Sequence, residues 1–198
     1  MREILPGVFH WTAFHEPIGA RVSSHYVQSA GIVIDPKVPE EGIDALPGEP
    51  RQVVLTSGHH QRDAQLLADR FAIQIRASRE AVTHLGDGAP EIQTFGDGEQ
   101  IAPGVTAIQI GRLSPDEGAL HLTAGDGALV FADGLMHDDG TLGFVSDKLL
   151  GEDPERVKRE LRQAFRGLLE LDFDNLLFAH SGPLIGGGKD ALSDFVEE

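Results

Sequence analysis

The chain has 198 residues, with 32 acidic against 16 basic side chains, a formal charge of −16, 40% hydrophobic residues and no cysteine. That length supports one sizeable core, so one domain over residues 1–198 is expected, and the acidity argues against a nucleic-acid backbone or an anionic membrane surface as partner. Without cysteine there is no disulfide framework and no thiolate metal site, which leaves His, Asp, Glu and water to hold any ion.

The opening Met1-Arg2-Glu3-Ile4-Leu5-Pro6 carries no signal-peptide apolar stretch, which predicts a cytoplasmic protein. No run approaches the roughly 20 apolar residues of a membrane span. Residues 8–14, 22–28 and 31–34 read as strands punctuated by Gly and Pro turn signals. A short helix over 40–46 is expected next, then a strand over 53–56, a helix over 64–71 and a short strand over 72–75. Strands over 105–110, 119–123 and 128–131 follow, with Gly125-Asp126-Gly127 as the hairpin turn between the last two. The clearest helix begins at Asp153: that residue is the N-cap, Pro154 suits the first helical position, and Val157, Leu161, Phe165 and Leu168 line one face. A buried strand over 175–179 ends at His180, and a helix over 189–196 closes the chain. This order of elements predicts two sheets with helices on their outer faces.

The segment richest in chemistry is Thr56-Ser57-Gly58-His59-His60-Gln61-Arg62-Asp63-Ala64, which joins the β-branched run Gln52-Val53-Val54-Leu55 to an amphipathic stretch. Two imidazoles and a carboxylate thus share a strand-to-helix turn, where side chains can converge on an ion. Blander roles exist for each residue. The His59-His60 pair can be a solvated turn, Asp63 suits the first turn of any helix, Asp133 can open a turn with Gly134, and His180 can bond the backbone. His10, His15, His25, His84, His121 and His137 read as structural, His137 least securely because it follows Asp133 closely, and Asp138-Asp139-Gly140 reads as a turn. Gly186-Gly187-Gly188-Lys189 fails the phosphate-loop pattern, since Pro183 holds the required glycine position and Asp190 replaces Ser or Thr.

The Thr56 turn resembles the Thr-His-x-His-x-Asp-His signature of the metallo-β-lactamase superfamily, with several ligands replaced. Four other segments match in the same order. Ser24-His25-Tyr26-Val27 and then Ile34-Asp35-Pro36 look like the family's Asn-x-Tyr-Leu and Ile-Asp-x-Gly hairpin. Ser114-Pro115-Asp116-Glu117-Gly118 stands where the family has Gly-His-Thr-Pro-Gly, with Arg112 and Leu113 in place of the histidine. Val130-Phe131-Ala132-Asp133-Gly134 looks like Leu-Phe-x-Gly-Asp, which brings the metal-bridging aspartate, here with Gly and Asp swapped. Leu177-Phe178-Ala179-His180-Ser181-Gly182-Pro183 looks like the Pro-Gly-His-Gly segment of the last histidine ligand. The resemblance covers essentially the whole chain and implies an α/β (α+β) fold, the four-layer αββα sandwich.

Members of that family hold two ions with five histidines and two aspartates. Here the turn fits in two registers, one making His59 the first motif histidine and the other the second, and most ligands are missing in both. The resemblance leaves His59, His60, Asp63, Asp133 and His180 as candidate ligands, with Asp63 alternatively the general base. Three or four such groups suffice for one Zn²⁺, Mn²⁺ or Fe²⁺ with an open position for water, and not for two ions. The implied activity is hydrolysis of a small-molecule ester, thioester or amide. The alternative is a non-catalytic, metal-free protein using the old cleft for ligand binding or oligomer contact.

Overall fold

The computed structural model describes residues 1–84 and 91–198, apart from the side chain of His84. The first sheet takes its strands in chain order: β1 (Arg2–Leu5), β2 (Val8–His15), β3 (Ala20–Val27), β4 (Ile32–Ile34), β5 (Gln52–Val54), β6 (Gln74–Ser78) and β7 (Ile92–Phe95). Pairing is antiparallel from β1 to β4 and parallel from β4 to β7, with α1 (Ala64–Phe71) crossing from β5 to β6.

The rest of the chain supplies β8 (Gln100–Ala102), β9 (Val105–Gln109), β10 (Gly118–Leu122), β11 (Ala128–Phe131), the hairpin β12 (Met136–Asp138) and β13 (Thr141–Gly143), α2 (Pro154–Leu168), β14 (Asn175–Phe178), β15 (Leu184–Ile185) and α3 (Gly188–Glu197). The second sheet runs β15-β14-β11-β10-β9-β8, and only β11 and β14 pair in parallel.

Strand alternation builds the layers. Val54, Val130 and Leu177 point between the sheets, where they meet Ile32, Ile34, Val105, Leu120 and Leu122. Their neighbours Leu129, Phe131, Leu176 and Phe178 point outward and bury the apolar faces of α2 and α3, including Val157, Leu161, Phe165 and Leu192. On the far side Val33, Val53, Leu55 and Ile75 cover Ala64 and Leu67 of α1. Period-2 burial on both faces of each sheet thus yields α1, sheet, sheet, then α2 with α3: the αββα sandwich. Among the described residues no helix is long and apolar enough to cross a membrane.

Several local expectations change. The helix expected over 40–46 is a single 3₁₀ turn, Ile43–Ala45. The strand expected from residue 72 starts at Gln74, because Ala72 ends α1 in the left-handed region (φ 53°). β1, β7, β8, β12, β13 and β15 were not expected; each has two to four residues, too few for an alternation to show in the sequence. The Asp139-Gly140 turn joins β12 to β13 with φ positive at both residues (49° and 81°), the requirement of a tight two-residue hairpin.

Candidate metal centre

Four strands deliver the site from their C-terminal ends. Asp35 follows β4, Thr56 follows β5 by one residue, Asp133 lies just beyond β11 and His180 just beyond β14. Because β4 and β5 belong to one sheet and β11 and β14 to the other, the site sits on the rim where the two sheets meet. Ser57 then caps a 3₁₀ turn, Gly58–His60, which turns His60 back over the rim.

His60 Nε2 lies 3.2 Å from Asp133 Oδ1 and 3.2 Å from His180 Nε2, and His180 Nε2 lies 2.8 Å from the same Asp133 oxygen. The other nitrogen of His60, Nδ1, sits 3.1 Å from Asp35 Oδ2. Asp35 is itself fixed by Thr56, whose N–H donates to Oδ1 at 2.8 Å and whose hydroxyl donates to Oδ2 at 2.5 Å. Burial disfavours charge on His60, but Asp35 and Asp133 outweigh it and raise its pKa to about 9. Burial likewise opposes the Asp133 anion, and His60 with His180 overcomes it, holding the carboxyl far below its ordinary range.

Arg62 fastens the rim. Its guanidinium donates to the carbonyls of Ser23 (2.7 Å), Asp35 (2.8 Å) and Ala179 (3.2 Å), so one side chain ties β3, the end of β4 and the His180 loop together. Both Asp35 and Arg62 hold positive φ (46° and 40°), backbone strain of a kind that collects at functional sites. Ser23 adds a second tie, its hydroxyl donating to the Ser181 carbonyl at 2.9 Å.

Two of the candidate ligands stand elsewhere. Asp63 turns away: Oδ1 meets Lys37 Nζ at 3.1 Å and Oδ2 accepts the Val38 N–H at 2.7 Å, so it pins the loop after Asp35 and lies outside the His60, Asp133 and His180 group. His59 is exposed and outside the group, since successive residues of a 3₁₀ turn project about 120° apart and His60 takes the inward direction. Neither register of the motif therefore describes this turn. Of the other histidines, His10 and His25 form a buried pair, His121 meets the Asp172 carbonyl, and His137 meets Gly182; the reading of His84 lies outside the described residues.

Asp35, Thr56, Arg62 and Glu117 have roles here that no local pattern assigned. Glu117 is buried beside the rim, and burial pushes its carboxyl up to about 7 against hydrogen bonds from backbone N–H groups.

Among the described residues, His60, Asp133 and His180 are the one group whose ligand atoms converge closely enough for an ion. Donors around a tetrahedral ion with bonds near 2.0–2.1 Å stand about 3.3 Å apart, close to the edges of 2.8 and 3.2 Å found here. The carboxylate on His60 Nδ1 is the usual second partner of a ligating imidazole, holding Nε2 toward the ion. Asp133 and His180 keep 27% and 23% of their side chains exposed, so the group opens to solvent. The donor set fits a metal ion.

No family model matches the sequence, and no curated protein does. Solved structures match over nearly the whole chain. The Rm3 metallo-β-lactamase shares 18% identity at a TM-score of 0.63, over 98% of this chain and 88% of that one. A metallo-β-lactamase family protein from Thermus thermophilus gives 14% and 0.66, over 98% and 80%. The flavodiiron protein from Giardia intestinalis gives 18% and 0.66, over 98% of this chain and 58% of that one. The chain has the metallo-β-lactamase fold.

Proposed function

We propose that the chain is a metal-dependent hydrolase of a small ester, thioester or amide, working with a single ion held by His60, Asp133 and His180. The observation that carries this reading is the convergence of His60 Nε2, Asp133 Oδ1 and His180 Nε2, with Asp35 behind the first. A divalent ion bound by such a set lowers the pKa of a bound water toward 7 and polarises a scissile carbonyl.

The chain's own groups prepare that chemistry. Asp35 accepts the Nδ1 proton of His60 and so leaves Nε2 as the donor atom facing the site, while two bonds from Thr56 keep the Asp35 carboxylate aimed. Asp133 brings the negative charge of the group. Arg62 places a fixed positive charge nearby, which disfavours a second cation. Imidazole with carboxylate suits Zn²⁺, Mn²⁺ or Fe²⁺.

One observation favours a second reading. The three side chains also satisfy one another, both imidazoles meeting Asp133, and such an ion network can brace a binding cleft with no catalytic ion. The experiment is elemental analysis of untagged protein purified without added metal, with a panel of ester, thioester and amide substrates. About one ion per chain with metal-dependent turnover supports the hydrolase. No ion, together with melting unmoved by Zn²⁺ or Mn²⁺, overturns it in favour of the brace.

A further inference from the structure

We propose that Glu117 is the positioning residue for Asp133: its buried carboxylate fills the space that a side chain at position 134 would take and clamps the Gly134 N–H. This role rests on reading the cluster as a metal centre. Glu117 is 2% exposed and immediately precedes β10. Its Oε2 accepts the Leu113 N–H at 3.0 Å, and the carboxylate also takes the N–H groups of Arg112 and Gly134. A Cβ built on Gly134 would lie 2.1 Å from Glu117 Oε1 and 2.9 Å from Leu161 Cδ2. A side chain there would have to push aside Glu117, which burial and the Leu113 N–H hold in place.

That contact accounts for the order Asp133-Gly134. An acidic side chain at 134 would collide with the Glu117 carboxylate, so the aspartate of this loop stands one residue earlier. The clamp also reaches the ligand. The Gly134 nitrogen belongs to the peptide that leaves Asp133, so holding it fixes ψ of Asp133 and with it the direction of the side chain toward His60 and His180. Outer groups that orient a ligand typically govern about tenfold to a hundredfold in metal affinity.

Glu117→Ala is the first test, since it removes every acceptor that faces the Gly134 N–H. Zn²⁺ affinity, measured by calorimetric titration, is expected to fall by about tenfold to a hundredfold. Val157→Ala, which opens a space in the α2 face without touching Gly134, is the matched control and is expected to lose stability but not affinity. Parent-like affinity in E117A overturns the positioning role alone, as does an equal loss in V157A. A parent that binds no metal overturns the metal reading and this role with it. The second test needs no metal. Gly134→Ala should lower the melting temperature sharply, and the double variant E117A/G134A should melt above G134A alone. If the double variant melts lower still, the shared space is wrong.

Discussion

His10 and His25 face each other across β2 and β3 with ring centroids 5.2 Å apart, and His60 and His180 meet at the same separation on the rim. The two pairs behave oppositely. Burial pushes His10 down to about 4 and His25 to about 3, so both are neutral at ordinary pH. His60 is just as buried, yet carboxylates at both of its nitrogens raise it to about 9. The spacing of two imidazoles therefore says little about function; what surrounds them decides it. One pair lies on adjoining strands, where burial of His25 outweighs the pull of Asp35 and, among the described residues, no carboxylate bonds either ring. The other lies past strand ends, where loops from both sheets can bring Asp35 and Asp133 alongside.

The largest effect that tests this contrast is loss of a ligand. In the parent, metal at a hundredfold excess over Kd should stabilise by on the order of 2.7 kcal/mol. That corresponds to a rise of about 5–10 °C in melting temperature for a chain of this size. His180→Ala or Asp133→Ala should abolish the rise in scanning calorimetry, while the fold persists on its three apolar layers. A rise that survives either substitution would place the ion away from this rim. Next in size is Asp35→Asn, which leaves all three ligands but weakens the grip on His60 Nδ1. We expect metal affinity to drop by about tenfold to a hundredfold, and parent-like affinity would remove Asp35 from the site.

A third, smaller effect separates the pairs by pH. His60 is raised from 6.5 to about 9 in the folded chain, so the stability it adds is complete below 6.5 and is lost as pH climbs through 9. Glu117, raised from 4.5 to about 7, acts in the same direction. His10 and His25 are neutral in both folded and unfolded chains well above 6.5 and contribute no slope there. Melting in chelator should therefore fall between pH 6.5 and 9. With Zn²⁺ present the metal-dependent rise should grow over the same window, because the ion must displace the proton from His60. A flat profile in chelator would mean that His60 is not held between two anions.

The strongest patterns of this fold are local ones, and those are legible from sequence. Asp153 accepts the Arg156 N–H at 3.0 Å and Pro154 opens α2, as a cap followed by proline predicts. Asp133 and His180 stand out because they end apolar strands. Whether His59 or His60 faces inward is set by a single 3₁₀ turn, which leaves no periodic trace. Asp63 is claimed by Lys37 and Val38, some 25 residues earlier, and its placement beside two histidines gives no hint of that. The partnership of Asp35 with His60 depends on β4 and β5 pairing in parallel at Ile34 and Val54. The approach of Glu117 to Gly134 likewise depends on how β10 and β11 bring their flanking loops together.

The smallest expected effect falls on the other pair. Among the described residues His25 Nε2 is buried with no hydrogen-bond partner, and His25 is 1% exposed. Leaving a buried polar atom unsatisfied costs about 1–3 kcal/mol, while exchanging a large side chain for leucine disturbs packing by a comparable amount. At neutral pH His25→Leu should thus move the melting temperature by only a few degrees, and it should leave the metal-dependent rise unchanged. Acid tells the two pairs apart. A histidine whose pKa is lowered on folding holds its full stability above 6.5 and loses it as pH falls toward about 3, the reverse of His60. The leucine variant has no such group, so its melting temperature should gain on the parent steadily from pH 6.5 down to 4. If the difference between the two proteins stays constant across that range, His25 is not held neutral by burial and the contrast between the pairs collapses.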